Sequence, residues 1–381
     1  GKGGISVLLV SPYHGGSHRS WANGYRRFSL NVVTHLTLPA RFWKWRMHGG
    51  AVTLARRFLE SDERPDLILT TDMLDLTTFL ALTRQRTNNV PAAIYMHENQ
   101  LTYPLPADGT TGPMRRQLGE RDRHYAFINF ASMLAAERIF FNSHFHHDSF
   151  FAALPNFLKH FPEYNELGSI TTLRRKSVVL PVGIDLRRLD GEADDSTTNR
   201  KDSAPLVLWN QRWEYDKNPS AFFSALKVVA DEGIPFRVAL CGQQYGKQPQ
   251  AFAEGQAQLG ERIVHTGYAQ ADKYVQLLGE ADITVSTAQH EFFGISIVEA
   301  IYSRTFPILP ARLSYPEIVP QSYHAHCLYE NQEMLLARLR WALTHVESAR
   351  SMARDLATAA SRFDWGVMAP LYDDQLKRLL D

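Results

Sequence analysis

Short apolar runs alternate along the whole chain with longer segments whose apolar positions recur at helical spacing. In the first half 5–10, 67–69, 92–95, 139–141 and 178–180 read as buried strands, each brief and flanked by polar or turn-forming residues. In the second half 206–209, 236–240, 263–265, 283–286 and 305–309 read the same way. Between them 219–232, 272–278 and 334–347 carry the three-to-four residue spacing of amphipathic helices, and the chain ends on another at 369–380. Strands separated by helices predict parallel sheets covered on both faces.

One stretch breaks the rhythm. Residues 190–205 (DGEADDSTTNRKDSAP) are polar, charged and free of large side chains, as a linker would be. It divides the chain into an expected first domain at 5–189 and a second at 206–362, with 363–381 as a helix returning to the first. A length of 381 residues suits two cores better than one. Gly1–Gly4 read as residues foreign to the fold.

Composition narrows the class. Apolar residues at 44% and charged residues at 21% are globular proportions, which excludes disordered and fibrous chains. No apolar run reaches the roughly 20 residues that span a bilayer. Two cysteines, Cys241 and Cys327, lie far apart without metal-ligand neighbours, so neither a zinc site nor a disulfide framework is expected, and a cytoplasmic location is. The net charge of +1 hides an asymmetry: residues 1–200 hold 24 Lys and Arg against 19 Asp and Glu. The first 50 residues contain no acid at all. Either a polyanionic partner for that half or chance clustering on a solvated surface accounts for this.

The chemistry concentrates at strand exits. After 206–209, Arg212 and Lys217 stand before a helix; a guanidinium that grips two oxygens and a compact ammonium suit a diphosphate. Alone, such a pair is usually a solvated surface feature. After 283–286 come Glu291, Phe293, Gly294 and Ile295, then Glu299. Gly294 permits close backbone approach at a helix start. Glu291 and Glu299, two turns apart if helical, share a side suited to sugar or ribose hydroxyls. A paired-carboxylate hydrolase is the competing chemistry, and it has no use for the Arg/Lys pair.

The Arg-x4-Lys and Glu-x7-Glu segments together resemble the donor site of retaining GT-B glycosyltransferases. The resemblance implies an α/β chain of GT-B fold, two Rossmann-like doubly wound domains facing a cleft. It assigns the diphosphate to Arg212 and Lys217, sugar hydroxyls to Glu291 and the ribose to Glu299. Backbone at Phe293, Gly294 and Ile295 would meet sugar and phosphate. The Cys241-Gly242-Gln243 loop and Thr266-Gly267-Tyr268 would line the nucleotide pocket. No cofactor and no metal is implied beyond the nucleotide sugar.

In the first half the opening strand ends in Tyr13-His14-Gly15-Gly16-Ser17-His18, whose Gly-Gly turn in GT-B enzymes faces the donor. Arg41, Trp43, Lys44, Trp45 and Arg46 interleave cations with aromatics, a composition fit for phosphate contacts and base stacking, or for an amphipathic helix with a buried Trp. His97, Glu98 and Asn99 follow a strand, and His97 falls where the family keeps an active-site His, able to hydrogen-bond the transferred sugar or to assist proton movement near neutral pH. Asn142 and Asp72 also sit at strand exits.

The runs YHGGSH, LTLPARFWKWRMHG, YMHENQLTYP, FNSHFHHDSF, RWEYDKNP, AQHEFFGISIVEAIY and YPEIVP, in this order, resemble the tRNA-queuosine α-mannosyltransferase family. That resemblance implies mannose transfer from GDP-mannose to the cyclopentenediol of queuosine in the anticodon loop of tRNA(Asp). The acceptor contacts would then be Ser17, His18, Arg41, Trp43, Lys44, Trp45, Arg46, Glu98, Asn99 and Asn142, with His97, Arg212, Lys217 and Glu291 catalytic and Gly15, Gly16, Gly242 and Gly267 beside the donor. A lipid or metabolite acceptor, or an inactive RNA-binding module, are the rivals.

Overall fold

The computed structural model describes residues 4–104, 113–191, 203–242 and 248–381. They form two compact units, one of 1–184 with 365–381 and one of 185–364. The changeover falls at Ile184/Asp185, a few residues before the polar stretch expected as the linker; residues 192–202 of that stretch lie outside the described residues.

The first unit alternates β1 (Ser6–His14), α1 (Gly16–Phe28), β2 (Val32–Pro39), α2 (Trp43–Glu60), β3 (Leu67–Thr71), α3 (Leu76–Thr87), β4 (Ala92–Met96), α4 (Pro113–Ala135), β5 (Arg138–Phe141), α5 (His144–Leu158), α6 (Ser169–Arg175) and β6 (Ser177–Val179). The second continues with β7 (Leu206–Trp209), α7 (Pro219–Asp231), β8 (Arg237–Cys241), α8 (Gln250–Leu259), β9 (Ile263–Gly267), α9 (Ala271–Glu280), β10 (Ile283–Val285), α10 (Ile295–Tyr302), β11 (Phe306–Pro310), α11 (Tyr315–Ile318), α12 (His324–Cys327), β12 (Leu328–Tyr329), α13 (Gln332–Thr344) and α14 (Val346–Ala360). A last helix, α15 (Trp365–Lys377), belongs to the first unit.

Each unit carries one parallel sheet, ordered β2-β1-β3-β4-β5-β6 and β12-β11-β10-β7-β8-β9. Both are Rossmann-like. In each, the chain winds outward from a middle strand first one way and then the other, leaving a switch point between β1 and β3 and another between β7 and β10. Ligands of such sheets bind at the carboxyl ends of the strands flanking that point.

Local chemistry sets the helix starts near those ends. Asp75 accepts the Thr78 N–H at 3.1 Å to cap α3, and Ser143 accepts the His146 N–H at 3.0 Å to cap α5. Pro219 opens α7, where a missing N–H is no loss. β2 and β12 have no counterpart in the apolar runs. β2 is an edge strand, and Thr34, His35 and Thr37 interrupt its pattern as a half-covered strand allows.

The C-terminal helix is bound by aromatics and one carboxylate. Tyr25, Tyr95, Trp365 and Tyr372 are all nearly fully buried. Gly24 and Gly183 leave room for the Trp365 ring; a Cβ on either would stand 2.0 and 2.4 Å from its atoms. Asp373 accepts from Tyr25 Oη at 2.6 Å, Leu30 N–H at 2.9 Å and Asn31 Nδ2 at 3.1 Å. In the second unit, buried Asp282 accepts the Leu206 N–H at 2.9 Å and Arg350 Nε at 2.8 Å, which ties α14 to the central strand.

Candidate functional site

The second unit gathers its polar side chains beside the β7/β10 switch point. The chain leaves β7 through buried Asn210 and Gln211 and half-exposed Arg212. Trp213 then stacks on Phe252 with ring centroids 4.3 Å apart and fixes the loop. Asn218, in the left-handed region at φ 48°, turns the chain into α7. This brings Lys217 inward, with only 5% of its side chain exposed. Its Nζ donates to Glu291 Oε2 at 3.0 Å and to the His290 carbonyl at 2.9 Å, with Asp216 Oδ2 at 3.4 Å. Burial by itself would lower the Lys217 pKa; Glu291 and Asp216 outweigh it, and the pKa is raised. Burial would raise that of Glu291, and the Lys217 ammonium instead holds it below the usual carboxylate value. Both groups are charged at neutral pH.

Glu291 precedes α10 rather than lying on it, so the shared helix face expected for Glu291 and Glu299 does not exist. The two carboxylates serve different neighbours. Glu299 is buried, with Oε1 accepting from Tyr274 Oη at 3.2 Å and Oε2 ion-paired to Arg188. Burial raises its pKa, and Arg188 offsets this only in part. Asn210 extends the network through Nδ2 to Tyr274 Oη at 3.2 Å and to the Ser296 carbonyl at 2.8 Å.

Gly294 sits at φ 103°, a conformation that favours glycine, and opens α10. A Cβ there would stand 3.3 Å from the Tyr315 ring. Phe293 points its side chain into the core against Phe363, and its carbonyl accepts from Ser314 Oγ at 2.6 Å. Ile295 is half-buried at the first position of the helix. At the end of β8, Gly242 fits against the Gln211 carbonyl, 2.3 Å from where a Cβ would stand. Gly267, at φ 100°, lies open at the end of β9, beside exposed Thr266 and Tyr268. Gln243 lies outside the described residues.

In the first unit the corresponding strand ends hold a second polar group. Gly15 is extended and packs on Ala40, where a Cβ would stand 2.4 Å away, and Gly16, at φ 51°, is exposed at the start of α1 with Ser17. His18, after β1, lies 3.8 Å from Asp72, after β3. Burial works against a charged His18, but Asp72 and Glu98 outweigh it and raise its pKa. His97, after β4, packs its ring 4.4 Å from His18 and 4.6 Å from Trp21, while its N–H donates to Asp72 Oδ1 at 3.0 Å. Burial, with His18 and His146 nearby, holds the His97 pKa well below 6.5.

Two family models match the chain. The N-terminal domain of tRNA-queuosine alpha-mannosyltransferase matches residues 6–184, and group 1 glycosyl transferases match 190–358. The tRNA-queuosine alpha-mannosyltransferase of Drosophila melanogaster is 29% identical over 342 residues, 87% of this chain and 85% of that protein. The chain is a glycosyltransferase, similar in its first half to the tRNA-queuosine α-mannosyltransferases and in its second to group 1 glycosyl transferases. Among solved structures, Anabaena Alr3699/HepE in complex with UDP and glucose aligns at TM-score 0.66 and 15% identity, over 98% of this chain and 99% of that one. Sucrose-phosphate synthase from Thermosynechococcus elongatus aligns at TM-score 0.69 and 15% identity, with coverage of 98% and 99%. At such identity these neighbours show the fold alone, which is GT-B.

Within this glycosyltransferase, several expected contacts have other work. Asn99 is fully buried: Oδ1 accepts from Leu101 and Thr102 N–H at 3.0 and 2.8 Å, and Nδ2 reaches Thr102 Oγ1 and His146 Nε2, both at 2.9 Å. Asn142 Nδ2 donates to the His97 carbonyl at 3.0 Å, and its Oδ1 meets His146 Nδ1 at 2.8 Å. Both amides are occupied in holding the loop at 97–102, which corrects their reading as acceptor contacts. With its pKa held well below 6.5 by burial, the His97 ring is neutral at neutral pH, which suits the hydrogen-bonding alternative more than the proton-moving one.

The basic, aromatic segment opens α2. Trp43 is half-buried on Tyr125, ring centroids 5.1 Å apart, with Lys44 5.4 Å over its ring. Trp45 is 63% exposed and Phe42 77% exposed, while Arg41 is exposed and Arg46 donates to the Pro39 carbonyl at 3.0 Å. Phe42 holds φ 48°, a left-handed conformation unusual for an aromatic. Arg188, Asn210, Tyr274 and Asp216 complete the second unit's network without any motif to announce them; only Asp216, inside the Arg-x4-Lys segment, was within reach of sequence reasoning. Among the described residues no helix is long and apolar enough to cross a membrane.

Proposed function

We propose that this protein transfers mannose from GDP-mannose to the cyclopentenediol of queuosine in the anticodon loop of tRNA(Asp), with retention at the anomeric carbon and in the cytoplasm. The observation that carries the acceptor is the match of the whole first unit's sheet, 6–184, to the N-terminal domain of the queuosine mannosyltransferases. The donor half draws support from the Lys217–Glu291 pair and the Gly294 turn beside the β7/β10 switch point.

In this reading the second unit holds the nucleotide sugar. Arg212, Lys217 and the amino end of α10 offset the charge that develops on the leaving diphosphate. Glu291 accepts from sugar hydroxyls while Lys217 keeps it ionised. The acceptor hydroxyl attacks the anomeric carbon from the leaving-group face, the bond from that carbon to the phosphate oxygen breaks, and the hydroxyl proton passes to the departing diphosphate. These residues supply the positive charge at the diphosphate, so the reaction calls for no metal or other cofactor there. The first unit holds the tRNA, with Arg41, Lys44 and Arg46 toward phosphates and Trp45 toward a base.

The test is direct. The protein is incubated with GDP-mannose and queuosine-containing tRNA(Asp), and the digested nucleosides are weighed. A hexose increment on queuosine is expected, with GDP-mannose preferred over GDP-glucose and UDP-galactose. Transfer to a lipid or free sugar instead, or tRNA binding without transfer, would overturn the assignment.

A further inference from the structure

At the β1/β3 switch point of the first unit, His18, Asp72 and Glu98 bring one ligand atom each to within 4.8 Å of one another. His18 and Asp72 are only 7% and 1% exposed. Asp72 Oδ1 takes the His97 backbone N–H at 3.0 Å, whereas Asp72 Oδ2 and His18 Nε2 are buried without a hydrogen-bond partner among the described residues. The 3.8 Å between His18 Nε2 and Asp72 is an ion-pair distance, too long for a hydrogen bond. Native proteins rarely leave such buried atoms unsatisfied unless something else engages them.

We propose that Asp72, together with Glu98 and His18, seats the vicinal diol of the acceptor's ring. The inference rests on the mannosyl-transfer reading and deepens it: discrimination of the hydroxylated base from an ordinary one resides in this cluster. Carboxylates only accept hydrogen bonds, and adjacent hydroxyls offer two donors at the right separation. Although burial works against it, the nearby Asp72 and Glu98 raise the His18 pKa, which favours its cationic form beside them. The His18 ring packs 4.4 Å from that of His97 and edge-on to Tyr13 at 6.0 Å, with Trp21 behind His97, so the cluster is held against aromatic rings. A divalent cation is the other occupant that one imidazole and two carboxylates could hold.

The experiment compares binding of queuosine-containing tRNA with binding of the same tRNA carrying guanosine at the wobble position. It uses the whole protein, Asp72→Asn and Glu98→Gln, with GDP-mannose affinity measured alongside. Asparagine keeps an oxygen for the His97 N–H, so the loop survives, and Glu98→Gln removes the second acid independently. The wild type is expected to favour the queuosine form by about tenfold or more. Both variants should bind the two tRNAs alike, at the wild type's affinity for the guanosine form, with GDP-mannose binding unchanged. Retained preference in both variants overturns the proposal, as does stoichiometric Mn²⁺ binding to the free protein that Asp72→Asn abolishes. A wild type that transfers hexose while the variants keep their preference refutes only this inference. A wild type that neither prefers queuosine nor transfers hexose removes the functional reading and the inference with it.

Discussion

Lys217 and Arg212 look equivalent in the sequence, and the structure makes them separable by experiment. Arg212 leaves 49% of its side chain exposed and lies 3.5 Å from Glu214, an arrangement worth little to stability. Lys217 is 5% exposed and neutralises Glu291 and Asp216 at 3.0 and 3.4 Å. Truncating one partner of a buried pair costs about 3–5 kcal/mol. Glu291 keeps a quarter of its side chain in solvent, which discounts that cost to about 2–3 kcal/mol. For a unit of this size that corresponds to a fall in Tm of roughly 5–10 °C. Losing charge stabilisation at the diphosphate should cost about 3 kcal/mol in either variant, on the order of a hundredfold in rate. Arg212→Ala is therefore expected to lose turnover at wild-type Tm, while Lys217→Met loses both. Adding Glu291→Gln to Lys217→Met should recover much of the Tm and none of the activity. Thermal unfolding and initial-rate assays on the four proteins suffice. An unchanged Tm in Lys217→Met, or a double variant less stable than the single, would refute the pairing argument.

Three further outcomes are expected. Arg188→Ala releases the Glu299 carboxylate from a half-exposed ion pair, so if Glu299 receives the ribose, GDP-mannose should bind several-fold tighter by calorimetry, about 1 kcal/mol at most; weaker binding would place Arg188 on the donor itself. Trp45→Ala should weaken tRNA binding by about 1–3 kcal/mol with an unchanged salt slope, whereas Arg41→Ala should flatten that slope by about one; the reverse pattern in titrations across salt contradicts the assignment of stacking and phosphate roles. His97 has a pKa well below 6.5 in the fold, so the unfolded chain takes up its proton first and stability is lost as pH falls below 6.5, continuing down to the folded value. His97→Asn should show a shallower acid-side loss in unfolding measurements, and a His97 ring that titrates near 6.5 by NMR would remove the basis for it.

Much of the architecture was legible because burial on two faces leaves a one-dimensional trace. β3, β4, β5, β7, β8 and β11 are all nearly continuous apolar runs, and each was readable as such. β2 escaped because an edge strand needs only one covered face and mixes Thr and His into its pattern. The polar cluster of the second unit was readable in outline because the Arg-x4-Lys and Glu-x7-Glu spacings are local. The geometry within it was not: a helix through Glu291 is a natural reading of the spacing, and Gly294 at φ 103° starts the helix later.

The sequence by itself determined the alternation of strands and helices, the division into two α/β units, the cations and carboxylates at strand exits of the second half, and an acid-free, aromatic-rich first 50 residues. Those are properties of neighbours along the chain. Tertiary structure decided what depends on residues distant in sequence. It joined Lys217 to Glu291 and Arg188 to Glu299, occupied Asn99 and Asn142 with the loop after β4, and held His97 neutral among Trp21 and His18. It also brought His18, Asp72 and Glu98 from three strand ends to one switch point. The physical reason is that hydrogen bonds, desolvation and charge pairing act through space over a few ångströms, and only the parallel stacking of non-consecutive strands sets which strand ends become neighbours.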